Sequence, residues 1–88
     1  MDIERPVKMK GVMARKIGDE CMLYDPDKGA VHVINSTAEF VWAMCDGSHN
    51  IQDITRRMTD KFQIQEGTDI KSEIENILKE FQKIDVIR

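Results

Sequence analysis

The sequence predicts an α+β domain: a three-stranded antiparallel sheet followed by three helices. Three observations predict it. Two turn signals, Gly18-Asp19 and Pro26-Asp27-Lys28-Gly29, cut the first third of the chain into short β-type runs. The apolar period switches near Asn35, where Val31-His32-Val33-Ile34 gives way to helical spacing. From there to the end, apolar residues recur at three and four, with cap residues between the segments.

Arg5 to Lys10 reads as an irregular or extended lead-in. Val12 to Ile17 and Cys21 to Asp25 read as strands across the Gly18-Asp19 turn, and Ala30 to Ile34 as the third strand. Ser36-x-x-Glu39 has the form of a capping box, which starts a helix at Ser36. Ala38, Val41, Trp42 and Cys45 lie on its inner face, and Asp46-Gly47 is expected to close it. Asn50 is the expected cap of a second helix, with Asp53 in its first turn and Ile51, Ile54, Met58 and Phe62 on its apolar side. Gln63 to Gly67 connects it to a third helix capped by Thr68. That helix carries a stripe of Ile70, Ile74, Ile77, Leu78, Phe81 and Ile84. The β-β-β-α-α-α order is of winged helix-turn-helix type, with Trp42, Ile54, Ile74, Leu78 and Phe81 expected in one core.

At 88 residues, one domain with one core is all the chain supports. Its apolar content of 41% and charged content of 33% are those of a water-exposed globular fold. No apolar run reaches membrane-spanning length and the N-terminus is too polar for a signal peptide, so a cytoplasmic location with no membrane partner is expected. A net charge of -3 disfavours nucleic acid and anionic lipid.

The chemistry-bearing residues are few. No Gly-rich phosphate loop, H-E-x-x-H or G-x-S-x-G occurs. Cys21, His32, Cys45 and His49 could bind metal in principle, but their spacing matches no common zinc pattern, and no metal site is expected. A Cys45/His49 nucleophile pair lacks a third group to orient the histidine. Met44 and Met58 fall on helical faces and read as core filler, whereas Met9, Met13 and Met22 lie nearer the sheet. A winged-helix transcriptional regulator is the alternative reading. Against it, the third helix mixes Glu73, Glu75 and Glu80 with its lysines, and Asp53 and Asp60 flank the Arg56-Arg57 doublet.

The run Leu23-Tyr24-Asp25-Pro26, Val33-Ile34-Asn35, Ala38, Val41-Trp42, Asp46-Gly47, Ile51-x-x-Ile54 resembles the PqqD family. So does the later spacing Ile70, Ile74, Ile77-Leu78, Phe81. The likeness runs from about Pro6 to Ile87, and its most specific element is the strand-Asn-helix-Asp-Gly run. Asp85 stands where family members usually carry Gly, and Ser48-His49-Asn50 where basic residues often follow the Asp-Gly turn. The resemblance implies a small winged-helix module with no catalytic activity and no cofactor. Such a module binds the leader of a ribosomally made precursor peptide and presents it to a modifying enzyme, often a radical S-adenosylmethionine enzyme, as in pyrroloquinoline quinone synthesis.

A meander gives that binding mode a physical basis. Its third strand has one partner, so an outer edge keeps unpaired N–H and C=O groups on which an extended peptide can add. The expected peptide contacts are Ala30, Val31, His32, Val33 and Ile34 on the strand, with Lys71, Ile74, Glu75 and Leu78 on the third helix beside it. An interface of this size implies roughly micromolar affinity, about -8 kcal/mol. The other expected occupants of the edge are the N-terminal lead-in and a second copy, which would make a homodimer through strand edges.

Overall fold

A computed structural model describes residues 5–65 and 67–88; position 66, in the connector before the third helix, lies outside them. The elements are β1 (Met13–Ile17), β2 (Glu20–Asp25), β3 (Ala30–Ile34), α1 (Ser36–Ala43), α2 (Ile51–Phe62) and α3 (Ile70–Lys83). The strands form one antiparallel sheet in the order β1-β2-β3. Gly18 has φ 60 at the first central position of the β1-β2 turn, where a two-residue hairpin of type II′ needs a positive φ. Asp25, buried, accepts the Asp27 N–H at 3.1 Å and so shapes the β2-β3 turn.

The sheet has one covered and one open face. Cys21 and Leu23 on β2 point at the helices and are buried, together with Val41, Trp42, Ile54, Met58, Ile74, Leu78, Phe81, Val86 and Ile87. All five residues expected in the core are there. The opposite face leaves Met13, Ile17, Val31 and Val33 more than half exposed. Their pairing rows put Met13, Tyr24 and Val31 side by side, and Arg15, Met22 and Val33 next to them.

Three helix ends differ from the sequence expectation. Asn35, not Ser36, caps α1: its Oδ1 accepts the Ala38 N–H at 2.8 Å, so Ser36 becomes the first helical residue. The helix also stops at Ala43 rather than reaching Asp46, because the backbone after it is taken by the N-terminal lead-in. Lys8 N–H donates to Cys45 C=O at 2.8 Å and Gly47 N–H to Pro6 C=O at 3.0 Å. Asp69, not Thr68, caps α3, accepting the Ser72 N–H and hydroxyl at 3.2 and 2.9 Å. Asn50 caps α2 as expected, accepting the Asp53 N–H at 2.8 Å.

The end of α3 explains the Asp85 substitution. Val86 N–H reaches back to Phe81 C=O at 3.0 Å and Asp85 N–H to Gln82 C=O at 3.2 Å. These are the two bonds of a Schellman motif, with Asp85 at φ 60 in the left-handed position that Gly normally fills. Lys28 pairs with the Asp85 carboxylate at 2.6 Å across the surface. The motif turns Val86 and Ile87 back into the core, where Trp42 Nε1 donates to Val86 C=O at 3.2 Å. The lead-in lies against this corner through bridges Val7 to Asp46 and Lys8 to Ile87. Its described residues therefore sit away from β3 and leave that edge free.

Candidate functional site

The register decides which backbone groups of β3 face outward. The two-residue turn closes on Ile17 and Glu20, a pair that exchanges its hydrogen bonds within the hairpin. Bonding direction alternates along a strand, so Glu20, Met22 and Tyr24 bond to β1. Cys21, Leu23 and Asp25 then bond to β3. Their partners are Ile34, His32 and Ala30. The N–H and C=O groups of Val31 and Val33 consequently point away from the sheet, at the open edge.

That edge forms one wall of a groove of about 490 Å³, lined by Val31, His32, Val33, Ile34, Asn35, Ala38, Ile77, Glu80, Phe81 and Ile84. The strand supplies hydrogen-bonding groups and the helices supply an apolar floor. Ile77, Glu80, Phe81 and Ile84 are at i, i+3, i+4 and i+7, one face of α3. Phe81 is 2% exposed and holds the floor in place, while Glu80 stands exposed at the rim.

The expected strand contacts Val31, His32, Val33 and Ile34 all line this groove; Ala30 is on β3 but outside the lining. The α3 residues are placed differently. Ile74 and Leu78 are 0% exposed within the core and offer no surface to a ligand. Lys71 and Glu75 lie on an earlier part of α3, outside the groove. The reason is helix phase: one side of the broad apolar stripe packs inward on α2 and the core, and its Ile77–Ile84 flank faces β3 across the groove. Asn35, Ala38, Ile77, Glu80, Phe81 and Ile84 were not among the expected contacts. The i, i+3, i+4, i+7 set ending at Ile84 was the available signal.

β1 has an open edge as well, since no strand of the described residues other than β2 pairs with it. Its five residues are exposed, Arg15 and Lys16 among them, and Lys16 is tied to Glu39 at 3.4 Å. Charge of this kind guards an edge against pairing. β3 carries neither Lys, Arg nor Pro.

The other candidate chemistry is held in structural roles. Cys45 is fully buried, its thiol donates to Val41 C=O at 3.2 Å, and burial pushes it up to about 12. Burial and the neighbouring Glu39 raise the Cys21 thiol too. His49 does not face Cys45. Its Nδ1 lies 3.0 Å from Asp46 Oδ1 and 3.2 Å from Ser48 Oγ. Ser48 and Asp46 meet the same ring nitrogen, so the three do not form a relay through opposite nitrogens. They fold the turn after α1: the Ser48 hydroxyl and N–H donate to Asp46 at 2.6 and 2.9 Å. These bonds, with the His49 contact, lower the Asp46 carboxyl to about 2. Among the described residues, no three side chains of metal-binding type come together, and no helix is long and apolar enough to cross a membrane. Arg56 of the basic doublet is paired with Asp53 at 3.1 Å.

No curated protein sequence is significantly similar to the chain. Among solved structures, one described as "TbiB1 in Complex with the TbiA(beta) Leader Peptide" superposes with a TM-score of 0.77 at 12% identity, covering 93% of this chain and 94% of that one. The likeness establishes the shared β-β-β-α-α-α fold. A family match extends over residues 20–87, from the first residue of β2 to the buried C-terminal pair, and takes in every element that builds the groove. The chain belongs to the coenzyme PQQ synthesis protein D (PqqD) family.

Proposed function

We propose that this protein is a non-catalytic recognition domain for the leader of a ribosomally made precursor peptide. The leader adds as a fourth strand on β3, and the domain presents it to a modifying enzyme. The carrying observation is the outward pair of N–H and C=O groups at Val31 and Val33, opening onto a groove floored by α3. Family membership and the leader peptide named with the structural neighbour support the same reading. Backbone pairing gives affinity with little sequence preference, and the groove supplies discrimination. The partner enzyme is of the radical S-adenosylmethionine or another peptide-modifying class, and the complex forms in the cytoplasm.

The test is chemical-shift mapping of the labelled domain titrated with synthetic leader segments of candidate precursor peptides. Shifts at the Val31 and Val33 amides and along Ile77–Ile84 are expected. Shifts confined to α1 and the Asp46–Asn50 turn, with β3 silent, would move the site elsewhere.

A further inference from the structure

The groove is apolar but not uniformly so. Among the described residues, Glu80 is the only acidic side chain lining it, and no lysine or arginine does. Among the described residues Glu80 has no ion-pair partner. Lys79 and Lys83 neighbour Glu80 on α3 but neither lines the groove nor forms an ion pair with it, while Lys28 is engaged by Asp85 and Lys16 by Glu39. The groove lining therefore carries one carboxylate above an apolar floor, with no Lys or Arg facing it from within the described lining.

The two walls have matching lengths. From Ile77 to Ile84 the helix rises about 10 Å, and the strand from Val31 to Ile34 spans about 10 Å. An added strand pairs its backbone with Val31 and Val33. Its residues opposite those valines share their outward face, and the residues between point into the groove. A wall of this length receives two such inward side chains, two residues apart and about 7 Å from each other.

One of the two sits over Phe81, whose ring closes the floor, and an aliphatic side chain fills that position. The other must cross Ile77 or Ile84 to reach the exposed Glu80 carboxylate at the rim. A long basic side chain does both: its methylene stem lies on the isoleucines and its charged head meets the carboxylate. An acidic side chain there meets Glu80 with like charge.

Resting on the reading of β3 as the leader-binding edge, we propose that Glu80 is a specificity-determining residue. It selects leaders in which an aliphatic residue and a Lys or Arg are two positions apart in the pairing strand. The outward positions opposite Val31 and Val33 are apolar, continuing the exposed row that Met13, Tyr24 and Val31 begin.

The experiment is selection of a displayed library of random short peptides on the wild-type domain, on Glu80→Gln and on Glu80→Lys. Amide shifts are mapped for the winners. Wild type is expected to enrich Lys or Arg at a fixed spacing of two from an aliphatic residue. Glu80→Gln should weaken those peptides about two- to fivefold, the range of an exposed ion pair. Glu80→Lys should turn the enriched charge to Asp or Glu at the same position. Glu80 is exposed, so both variants fold, and their amide spectra verify it. Winners that shift the Val31 and Val33 amides but show no charge bias, or keep their bias in Glu80→Lys, overturn this inference and leave the edge reading standing. Winners that leave β3 unshifted overturn both.

Discussion

A pair of proline substitutions one residue apart separates the fold from the function. Val33 turns its N–H to the open edge, whereas His32 turns its N–H to Leu23 on β2. In Val33→Pro the sheet loses no ladder bond, and a proline whose missing donor faced solvent is tolerated on an edge. The stability loss should be no more than about 1 kcal/mol, the span of strand propensity. Peptide binding loses one backbone hydrogen bond and leaves a leader carbonyl unpaired against the ring. That costs about 1–3 kcal/mol, or about five- to a hundredfold in Kd. In His32→Pro the unpaired carbonyl belongs instead to Leu23, which is 0% exposed, so about 1–3 kcal/mol comes out of the fold itself. An 88-residue domain holds about 4–13 kcal/mol in total, so that loss is readily measured. Urea unfolding followed by the fluorescence of Trp42, the single tryptophan, reads stability. Anisotropy of a labelled leader reads binding, and Val33→Ala controls for the lost side chain. Equal stability losses in the two variants, or undiminished leader binding by Val33→Pro, would refute the register assignment.

Three further outcomes are expected. Leu78→Ala, at a fully buried site between the helices, should lower unfolding free energy by about 2–5 kcal/mol in the same urea assay. In a Lys28→Ala background, which removes the surface ion pair, Asp85→Gly should stabilise by about 0.5–1 kcal/mol, because only glycine takes φ 60 without cost; an unchanged urea midpoint would show that the Schellman turn stores no strain. Asp46 titrates near 2 when folded against 3.8 ordinarily, so its contribution to stability is complete above about pH 4 and is lost as the pH falls towards 2. Asp46→Asn should flatten the urea midpoint across that window and leave its slope with pH unchanged near neutrality.

Most of the architecture is written locally. The third strand has the bounds its β-branched run suggests, and the first two are displaced by a single residue each at their starts, because turns and alternation act over a few neighbours. The caps were harder. Asn35 and Ser36 are both good cap residues, as are Thr68 and Asp69, and only the geometry of the entering chain selects between them. The early end of α1 was not legible at all, because it depends on Pro6 and Lys8, some forty residues upstream, taking the backbone groups after it. The strand half of the groove followed from counting partners in a meander. The helical half did not, because the stripe on α3 is wide enough to face both α2 and β3. Its rotation depends on packing against α2 and on the shared core that the Val86-Ile87 corner completes beside Trp42.

The two sheet edges carry unequal protection, and this bears on how the protein behaves before it meets a partner. β1 ends the sheet with Arg15 and Lys16, but β3 ends it with Ala-Val-His-Val-Ile, a run of high strand propensity with two valines more than half exposed. An edge that welcomes a guest strand discriminates poorly against strands of its own kind. Under the proposed function, solubility is expected to be coupled to cargo. Without peptide, concentrated protein should associate edge to edge; with peptide bound, β3 becomes an interior strand and the exposed row gains a neighbour. Light scattering at rising concentration, with and without leader, should show occupancy suppressing association, so that the precursor also acts as a stabilising chaperone for the domain that receives it.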